Sequence, residues 1–223
     1  VDGLIIARSQ IGVQTREFLQ SSGIPYVFLH FHQDPANSGS VNQIYTDHLQ
    51  GGMIATEHLI ALGHRNILCV TADGGSEYEQ RRRGYQTALT TADIPYNEHL
   101  VYYGDRSFQS GYDLVMQHQD LLRNVSAIFA HTDVMALGIL EALRMKQIRV
   151  PEDIALVGYD DIELSTYLHP QLTTVHQPRE EIAVLACERL LQLIESKRMK
   201  RGKEIKVQPT LVIRESCGAS SIR

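Results

Sequence analysis

Short apolar runs alternate with longer amphipathic segments along the chain, and glycine, proline, asparagine or aspartate separates them. This alternation predicts parallel β-strands connected by helices, in sheets that are covered on both faces. One helix is expected over Asp47–Leu62, with Asp47 as its N-cap and Gly63 at its end, and another at Gln177-Pro178, with Pro178 in the first helical position. The predicted strands are Gly3–Ala7, Tyr26–Phe31, Asn66–Thr71, Leu100–Tyr103, Ala127–Ala130, Ile154–Val157, Thr173–His176 and Ile205–Arg214.

Three polar or proline-containing stretches are candidate crossovers between two lobes: His32–Ile44, His176–Pro178 and Lys197–Lys206. The expected fold class is therefore α/β, with two doubly wound parallel-sheet lobes joined by a hinge that the chain crosses several times. Because each sheet of such a fold has about five or six strands, eight strands leave one sheet about two strands short. We expect the missing β-α-β-α piece of the first lobe to precede Val1.

The crossovers set the expected lobe boundaries. The N-terminal lobe comprises residues 1–45 and 177–204, the C-terminal lobe comprises residues 46–176 and 205–217, and residues 218–223 form a tail.

Composition excludes several classes of protein. With 223 residues, 43% of them hydrophobic, the chain can bury one large or two modest cores, and it contains no apolar run long enough to span a membrane. A net charge of −5 argues against nucleic-acid binding by this chain itself. The three cysteines, Cys69, Cys187 and Cys217, are too widely spaced for a disulfide framework or a zinc ribbon, which favours a cytoplasmic setting.

The segment Val150–Pro178 contains the most informative polar residues. Its apolar run Ile154–Val157 predicts a buried strand, and Asp160 and Asp161 follow at the carboxyl end, where open α/β sheets bind ligands. A carboxylate there can accept hydrogen bonds from neighbouring ligand hydroxyls. The alternative is that one of the two aspartates caps a short helical turn at Ile162–Leu168.

Six stretches, in order, resemble the effector-binding core of the lactose-repressor/galactose-repressor family of bacterial transcription regulators. They are VDGLIIA at Val1–Ala7, HLIALGHRNI at His58–Ile67, RRRGYQTAL at Arg81–Leu89, FAHTDVMALGIL at Phe129–Leu140, VPEDIALVGYDDIELSTYLHPQLTTVHQP at Val150–Pro178 and TLVIRES at Thr210–Ser216. The resemblance implies a periplasmic-binding-protein-like fold whose two lobes close on a small effector, usually a sugar or a sugar derivative. It also implies a homodimer and operator DNA bound by a separate helix-turn-helix domain.

The resemblance also implies a ligand site. Arg81 stands in the family's R-x-x-G-[FYW] motif and Asp160 in its G-Y-D motif, so that a guanidinium and a carboxylate together would hold a polyol. Thr132 stands where the family has a polar side chain at the ligand, and Asp133 is expected to cap the following helix. Gln177 is expected either to contact the ligand or to cap a helix.

Three further candidates depart from the family pattern. His30 ends a strand at which many members carry Asp or Asn, so it would add a hydrogen-bond donor. Arg106 stands where sugar-binding relatives often have a stacking aromatic; it is either an exposed loop residue or a second cation for an anionic sugar phosphate or sugar acid. Phe108 either supplies the aromatic ring after a two-residue shift or belongs to the core.

No catalytic motif is recognised, and neither a cofactor nor a metal is expected; His30-x-His32 lacks a third ligand. The leading hypothesis is thus a cytoplasmic, sugar-responsive repressor core that is not an enzyme and contacts no membrane. The alternatives are a periplasmic sugar-binding protein of a transport system and a sugar-processing α/β enzyme.

Overall fold

A computed structural model describes residues 1–7, 11–29, 41–196 and 202–219. The chain divides into two compact units, each described here by itself. Unit 1 comprises Val1–Asp47, Gly75–Glu77 and Pro178–Gln208, and unit 2 comprises His48–Gly74, Tyr78–Gln177 and Pro209–Arg223. No helix in the described part of the chain has the length and apolarity needed to cross a bilayer.

Unit 1 contains a parallel sheet in the order β1-β2-β3-β9. The neighbouring residues Val27 and Phe28 are both buried but point to opposite faces, because successive side chains of a strand alternate. Val27 packs with Ile182 of helix α7, and Phe28 packs with Leu19 of helix α1, so each helix covers one face. These elements are β1 (Leu4–Ala7), α1 (Val13–Ser22), β2 (Tyr26–Leu29), β3 (Gln43–Thr46), α7 (Arg179–Ser196) and β9 (Glu204–Val207).

Unit 2 contains a sheet in the order β10-β8-β7-β6-β4-β5, in which β10 is antiparallel and the remaining strands are parallel. One face packs against α4 and α6, through residues such as Ile128 and Ile139, and the other against α2 and α3, through Phe129 and Tyr85. The elements are α2 (His48–Ala61), β4 (Ile67–Ala72), α3 (Ser76–Thr91), β5 (Val101–Gly104), α4 (Phe108–Gln117), α5 (Gln119–Leu122), β6 (Ala127–Ala130), α6 (Asp133–Met145), β7 (Ala155–Asp160), β8 (Thr173–His176) and β10 (Thr210–Val212).

The doubly wound α/β architecture predicted from the alternating pattern is confirmed in unit 2. The bounds predicted for β6 and β8 are those observed, and α2 lies within one residue of its predicted limits, with Gly63 just beyond it at φ 96°. Strand β7 continues to Asp160, three residues past the predicted end, because Gly158 and Tyr159 stay paired with β8.

Two strand predictions are wrong. β3 was missed because its four residues, Gln43–Thr46, follow a polar stretch and begin and end with polar side chains, although all four are buried. The single strand expected over Ile205–Arg214 is two strands in different sheets, β9 beside β3 and β10 beside β8. Pro209 stands between them and has no N–H to donate to a ladder, which favours the break.

Candidate functional site

The candidate polar residues of unit 2 follow the carboxyl ends of its parallel strands. His131 and Thr132 come after β6, Asp160 ends β7, and Gln177 follows β8. Because these strands are parallel neighbours in the sheet, the side chains gather at one edge. This is the edge at which open α/β sheets bind small molecules.

Arg81, on helix α3, is the centre of this group and is only 3% exposed. Its Nη1 donates a hydrogen bond to the main-chain oxygen of His131, and its Nε lies 3.4 Å from His48 Nδ1. Its Nη2 lies 4.0 Å from Asp160 Oδ1. The predicted pairing of Arg81 with Asp160 at one site is therefore present in the geometry, although both remain predictions as ligand contacts.

Two tyrosine rings enclose the Arg81 guanidinium. Its Cζ lies 3.7 Å from the ring centroid of Tyr159 and 5.1 Å from that of Tyr78. The Tyr159 hydroxyl is in turn 3.0 Å from His48 Nδ1. Aromatic faces attract a cation and shield it from water, so the guanidinium is held in one orientation before any ligand arrives.

Two glycines allow helix α3 to approach α2 closely enough to place Arg81. A Cβ built on Gly52 would lie 2.1 Å from the main-chain oxygen of Arg81, and one built on Gly84 would lie 2.2 Å from the oxygen of Leu49. Both contacts are with backbone, which cannot move away cheaply. The glycine of the R-x-x-G motif thus serves helix packing.

Substituting Gly84 with alanine is expected to lower the free energy of unfolding by about 2 kcal/mol, because the added methyl group forces α2 and α3 apart. Urea unfolding followed by circular dichroism measures the change. Gly12→Ala is the matched control, since a Cβ there has no neighbour within 4 Å among the described residues, and it is expected to cost less than about 0.5 kcal/mol. Equal effects of the two substitutions would contradict the close helix crossing.

Asp160 and Gln177 are linked directly. Gln177 Nε2 donates a 2.6 Å hydrogen bond to Asp160 Oδ1. Asp160 has a φ of 119°, a conformation that side-chain-bearing residues rarely adopt. The Gln177 amide thus lies at the Asp160 carboxylate, beside Arg81, and the ligand contact expected for Gln177 stays a prediction.

The capping role expected for Asp161 is wrong. The turn that follows is a 3₁₀ helix, Glu163–Thr166, whose N-cap position is Ile162 with no side-chain cap. Asp161 instead accepts hydrogen bonds from Arg214 Nη2 at 2.6 Å and His176 Nδ1 at 2.9 Å. Burial alone would raise the pKa of Asp161, but the hydrogen bonds and charges of these two partners outweigh it and lower that pKa.

The capping role expected for Asp133 belongs to Thr132, whose ligand contact stays a prediction. Thr132 is the N-cap of α6, where its hydroxyl accepts a 3.1 Å hydrogen bond from the Met135 N–H. Asp133, one residue later, is fully buried and is not the N-cap of α6. The prediction was displaced by one residue because Thr and Asp are both good N-caps and stand side by side.

Asp133 joins α6 to the loop between β7 and β8. Its carboxylate accepts hydrogen bonds from the hydroxyls of Thr174 at 2.6 Å and Ser165 at 2.8 Å, and from the N–H of Ile162 at 2.9 Å. Burial raises the pKa of Asp133 to about 6, although these three hydrogen bonds oppose the shift. Asp133 therefore supports the loop that follows Asp160.

The remaining candidates are more dispersed. Arg106 is exposed, has a φ of 75°, and places its Cζ 5.7 Å from the Tyr78 ring centroid. Phe108 is 42% exposed, so it is not a core residue, and it lines a cavity of about 730 Å³ with Leu137 and Leu168. Neither Arg81 nor Asp160 lines that cavity, and the ligand-stacking role expected for Phe108 stays a prediction. His30 lies outside the described residues.

Four residues of the Arg81 group were missed by the sequence reasoning: Tyr78, Tyr159, His131 and His48. Tyr78 precedes Arg81 by three positions. On a helix this spacing brings two side chains together, so the contact of Tyr78 with Arg81 could have been predicted. Burial, together with the charges of Arg81 and Arg82, lowers the pKa of His131 well below its usual range.

Within the described residues, no group of three or more His, Cys, Asp or Glu side chains is arranged to hold a metal ion.

Comparison with known proteins places the chain in a family. A family model described as a periplasmic binding protein-like domain matches residues 56–217. The chain belongs to this family. The "HTH-type transcriptional repressor PurR" of Aliivibrio fischeri (strain MJ11) is 34% identical over 221 residues, which are 97% of this chain and 64% of the relative. The chain thus spans somewhat less than two thirds of that protein's length.

Two solved structures are also similar to the chain. The transcriptional regulator CelR in complex with cellobiose has a TM-score of 0.87 and 32% identity, over 97% of this chain and 66% of that one. A LacI-family transcriptional regulator from Enterococcus faecium with bound ribose has a TM-score of 0.87 and 29% identity, over 97% and 79%. The chain therefore corresponds to the effector-binding core of LacI-type regulators, which confirms the resemblance found in its motifs.

Proposed function

We propose that the chain is the effector-binding and dimerisation core of a sugar-responsive LacI-type repressor. The observation that carries the proposal is the buried group of Arg81, Asp160 and Gln177 at the carboxyl edge of the unit 2 sheet. A guanidinium offers a planar set of donors, and a carboxylate accepts from hydroxyls. Together they match the alternating donors and acceptors of a polyol.

The proposed mechanism is a population shift. An effector that binds one conformation of the regulator more tightly than another favours that conformation, and the shift alters the DNA affinity of a helix-turn-helix domain outside this chain. Helix-turn-helix domains bind in pairs to operators that have two-fold symmetry, so we propose that the regulator is a homodimer in the cytoplasm. Sedimentation equilibrium of the chain measures its oligomeric state directly.

Among the rival functions, a periplasmic sugar-binding protein of a transport system would need the same donors and acceptors. The reported relatives are named as transcriptional regulators, which favours the repressor core over a transport protein and over an enzyme. They also indicate the ligand class, because two of them hold ribose or cellobiose.

A thermal-shift series tests the function. The chain is titrated with ribose, cellobiose and other sugars; a ligand that binds only the folded state at 100 times its Kd adds about 2.7 kcal/mol of stability. Absence of stabilisation by every sugar and sugar derivative would contradict the proposal.

Asp160→Asn is expected to weaken binding of the stabilising sugar by about tenfold or more, because it exchanges an acceptor-only carboxylate for an amide. Isothermal titration calorimetry measures the affinity. Asp120→Asn is the control, since that carboxylate is exposed and pairs only with Arg123 in the described residues. Undiminished affinity in Asp160→Asn would remove Asp160 from the site.

A further inference from the structure

Arg106 is held in an unusual backbone conformation by the residues on either side of it. Its φ of 75° lies in the left-handed region, which costs a side-chain-bearing residue about 1 kcal/mol. The Asp105 carboxylate accepts hydrogen bonds from both the N–H and the hydroxyl of Ser107, closing a turn around Arg106. Ser107 then caps helix α4. The turn thus sets the direction in which the Arg106 side chain leaves the loop.

The Arg106 charge has no carboxylate partner among the described residues. Neighbouring Asp105 is engaged by Ser107, and the hydrogen bonds from Ser107 lower the pKa of Asp105, which keeps it ionised and occupied. Many other arginines of unit 2 do form ion pairs within the chain. These are Arg82 and Arg83 with Glu79, Arg123 with Asp120, Arg144 with Glu141, Arg149 with Asp153 and Arg214 with Asp161.

Tyr78 connects Arg106 to the Arg81 group. Its ring centroid lies 5.7 Å from the Cζ of Arg106 and 5.1 Å from the Cζ of Arg81. Two guanidinium groups therefore contact one aromatic ring, one of them buried and one exposed. An exposed cation beside a buried polar group is placed to bind the charged end of a molecule whose other end is buried.

The carboxylates of this edge are engaged by groups other than Arg106. Asp160 lies 4.0 Å from Arg81 and also accepts from Gln177. Asp161 accepts hydrogen bonds from Arg214 and His176, and Asp133 accepts hydrogen bonds from hydroxyl and main-chain donors. Each of these three carboxylates is thus engaged by other groups, and none of them forms an ion pair with Arg106 among the described residues.

We propose that the effector is an acidic sugar derivative, whose phosphate or carboxylate group binds Arg106 while its hydroxyls bind Arg81 and Asp160. The inference rests on the proposed function, because it assigns a substrate class to the same site. A guanidinium binds either oxyanion with two parallel hydrogen bonds, so phosphate and carboxylate share one chemistry here.

Calorimetric titration with matched neutral and acidic sugars tests the inference. The probes are ribose with ribose 5-phosphate, glucose with glucose 6-phosphate, and glucose with gluconate, each measured at low and high salt. The acidic member of one pair is expected to bind at least tenfold more tightly than its neutral partner, and the preference shrinks as salt rises. Phosphate and carboxylate are distinguished by which pair shows the preference.

Variants assign the preference to Arg106. Arg106→Ala is expected to reduce acidic-sugar affinity by tenfold or more and to change neutral-sugar affinity by less than twofold, and Arg106→Lys should retain part of the preference. Arg123→Ala, which removes an exposed arginine, is the control and should leave both affinities unchanged.

Each outcome has a separate meaning. Equal affinity for neutral and acidic sugars, or an equal loss for both in Arg106→Ala, overturns the inference but leaves the proposed function standing if Asp160→Asn still weakens binding. Failure of every neutral and acidic sugar to bind overturns the inference together with the proposed function.

Discussion

Arg81→Ala is expected to lower the free energy of unfolding by about 3–5 kcal/mol and to weaken effector binding between about tenfold and a hundredfold. The stability loss follows from burial, since removing the guanidinium takes a positive charge away from Asp160 and a donor away from the His131 oxygen. It also empties the space between the Tyr78 and Tyr159 rings. Urea unfolding and calorimetric titration measure the two effects.

Arg83→Ala is the matched control for Arg81, because it lies on the same helix but its side chain is 62% exposed and pairs with Glu79. An exposed ion pair of this kind contributes less than about 1 kcal/mol. Arg81→Lys separates charge from shape: it keeps the cation but loses the fork of donors, so it should recover part of the stability and little of the affinity. If Arg81→Ala behaves like Arg83→Ala, the central role of Arg81 is wrong.

Asp133→Ala is expected to lower the free energy of unfolding by about 4 kcal/mol, because Thr174, Ser165 and the N–H of Ile162 all lose their acceptor in a buried place. Ligand affinity should fall as well, since the loop after Asp160 loses its support. Urea unfolding measures the stability and titration the affinity. Asp113→Ala, on helix α4, is the control, because in the described residues that carboxylate accepts only an exposed bond from Gln109.

Asp133 should also make stability depend on pH. Its pKa is raised to about 6 in the folded chain from an ordinary 3.8, so the folded state holds a proton that the unfolded state has released. This contribution is fully present below about pH 4 and is lost as pH rises through about 6. The total change is about 3 kcal/mol for a shift of about two units.

Asp133→Asn isolates the pH effect, because asparagine does not titrate and has a similar shape. As the pH rises from 4.5 to 7.5, the wild type should lose unfolding free energy relative to Asp133→Asn. A difference that stays constant over this range would show that Asp133 is ionised throughout in the folded chain.

Much of the candidate site could be predicted because strand ends are local features. The apolar run before Asp160 and the turn after His176 mark carboxyl ends, and parallel pairing brings such ends to one edge. The Thr132 and Asp133 roles could not be predicted in this way. Capping depends on the single residue at which helix α6 begins, and two good N-caps in sequence leave that residue undetermined.

The alternation of strands and helices, the doubly wound architecture and the family could all be predicted from the chain, because each depends on patterns that neighbouring residues carry. The folded structure was needed to show that β9 and β10 enter different sheets, that Tyr159 and Tyr78 enclose Arg81, and that Arg106 shares the Tyr78 ring. Apart from the contact between Tyr78 and Arg81, which are three positions apart on α3, these pairings join residues far apart in the chain. They depend on how closely helix α3 approaches the sheet and α2, which glycines such as Gly84 permit and which no local pattern of residues encodes.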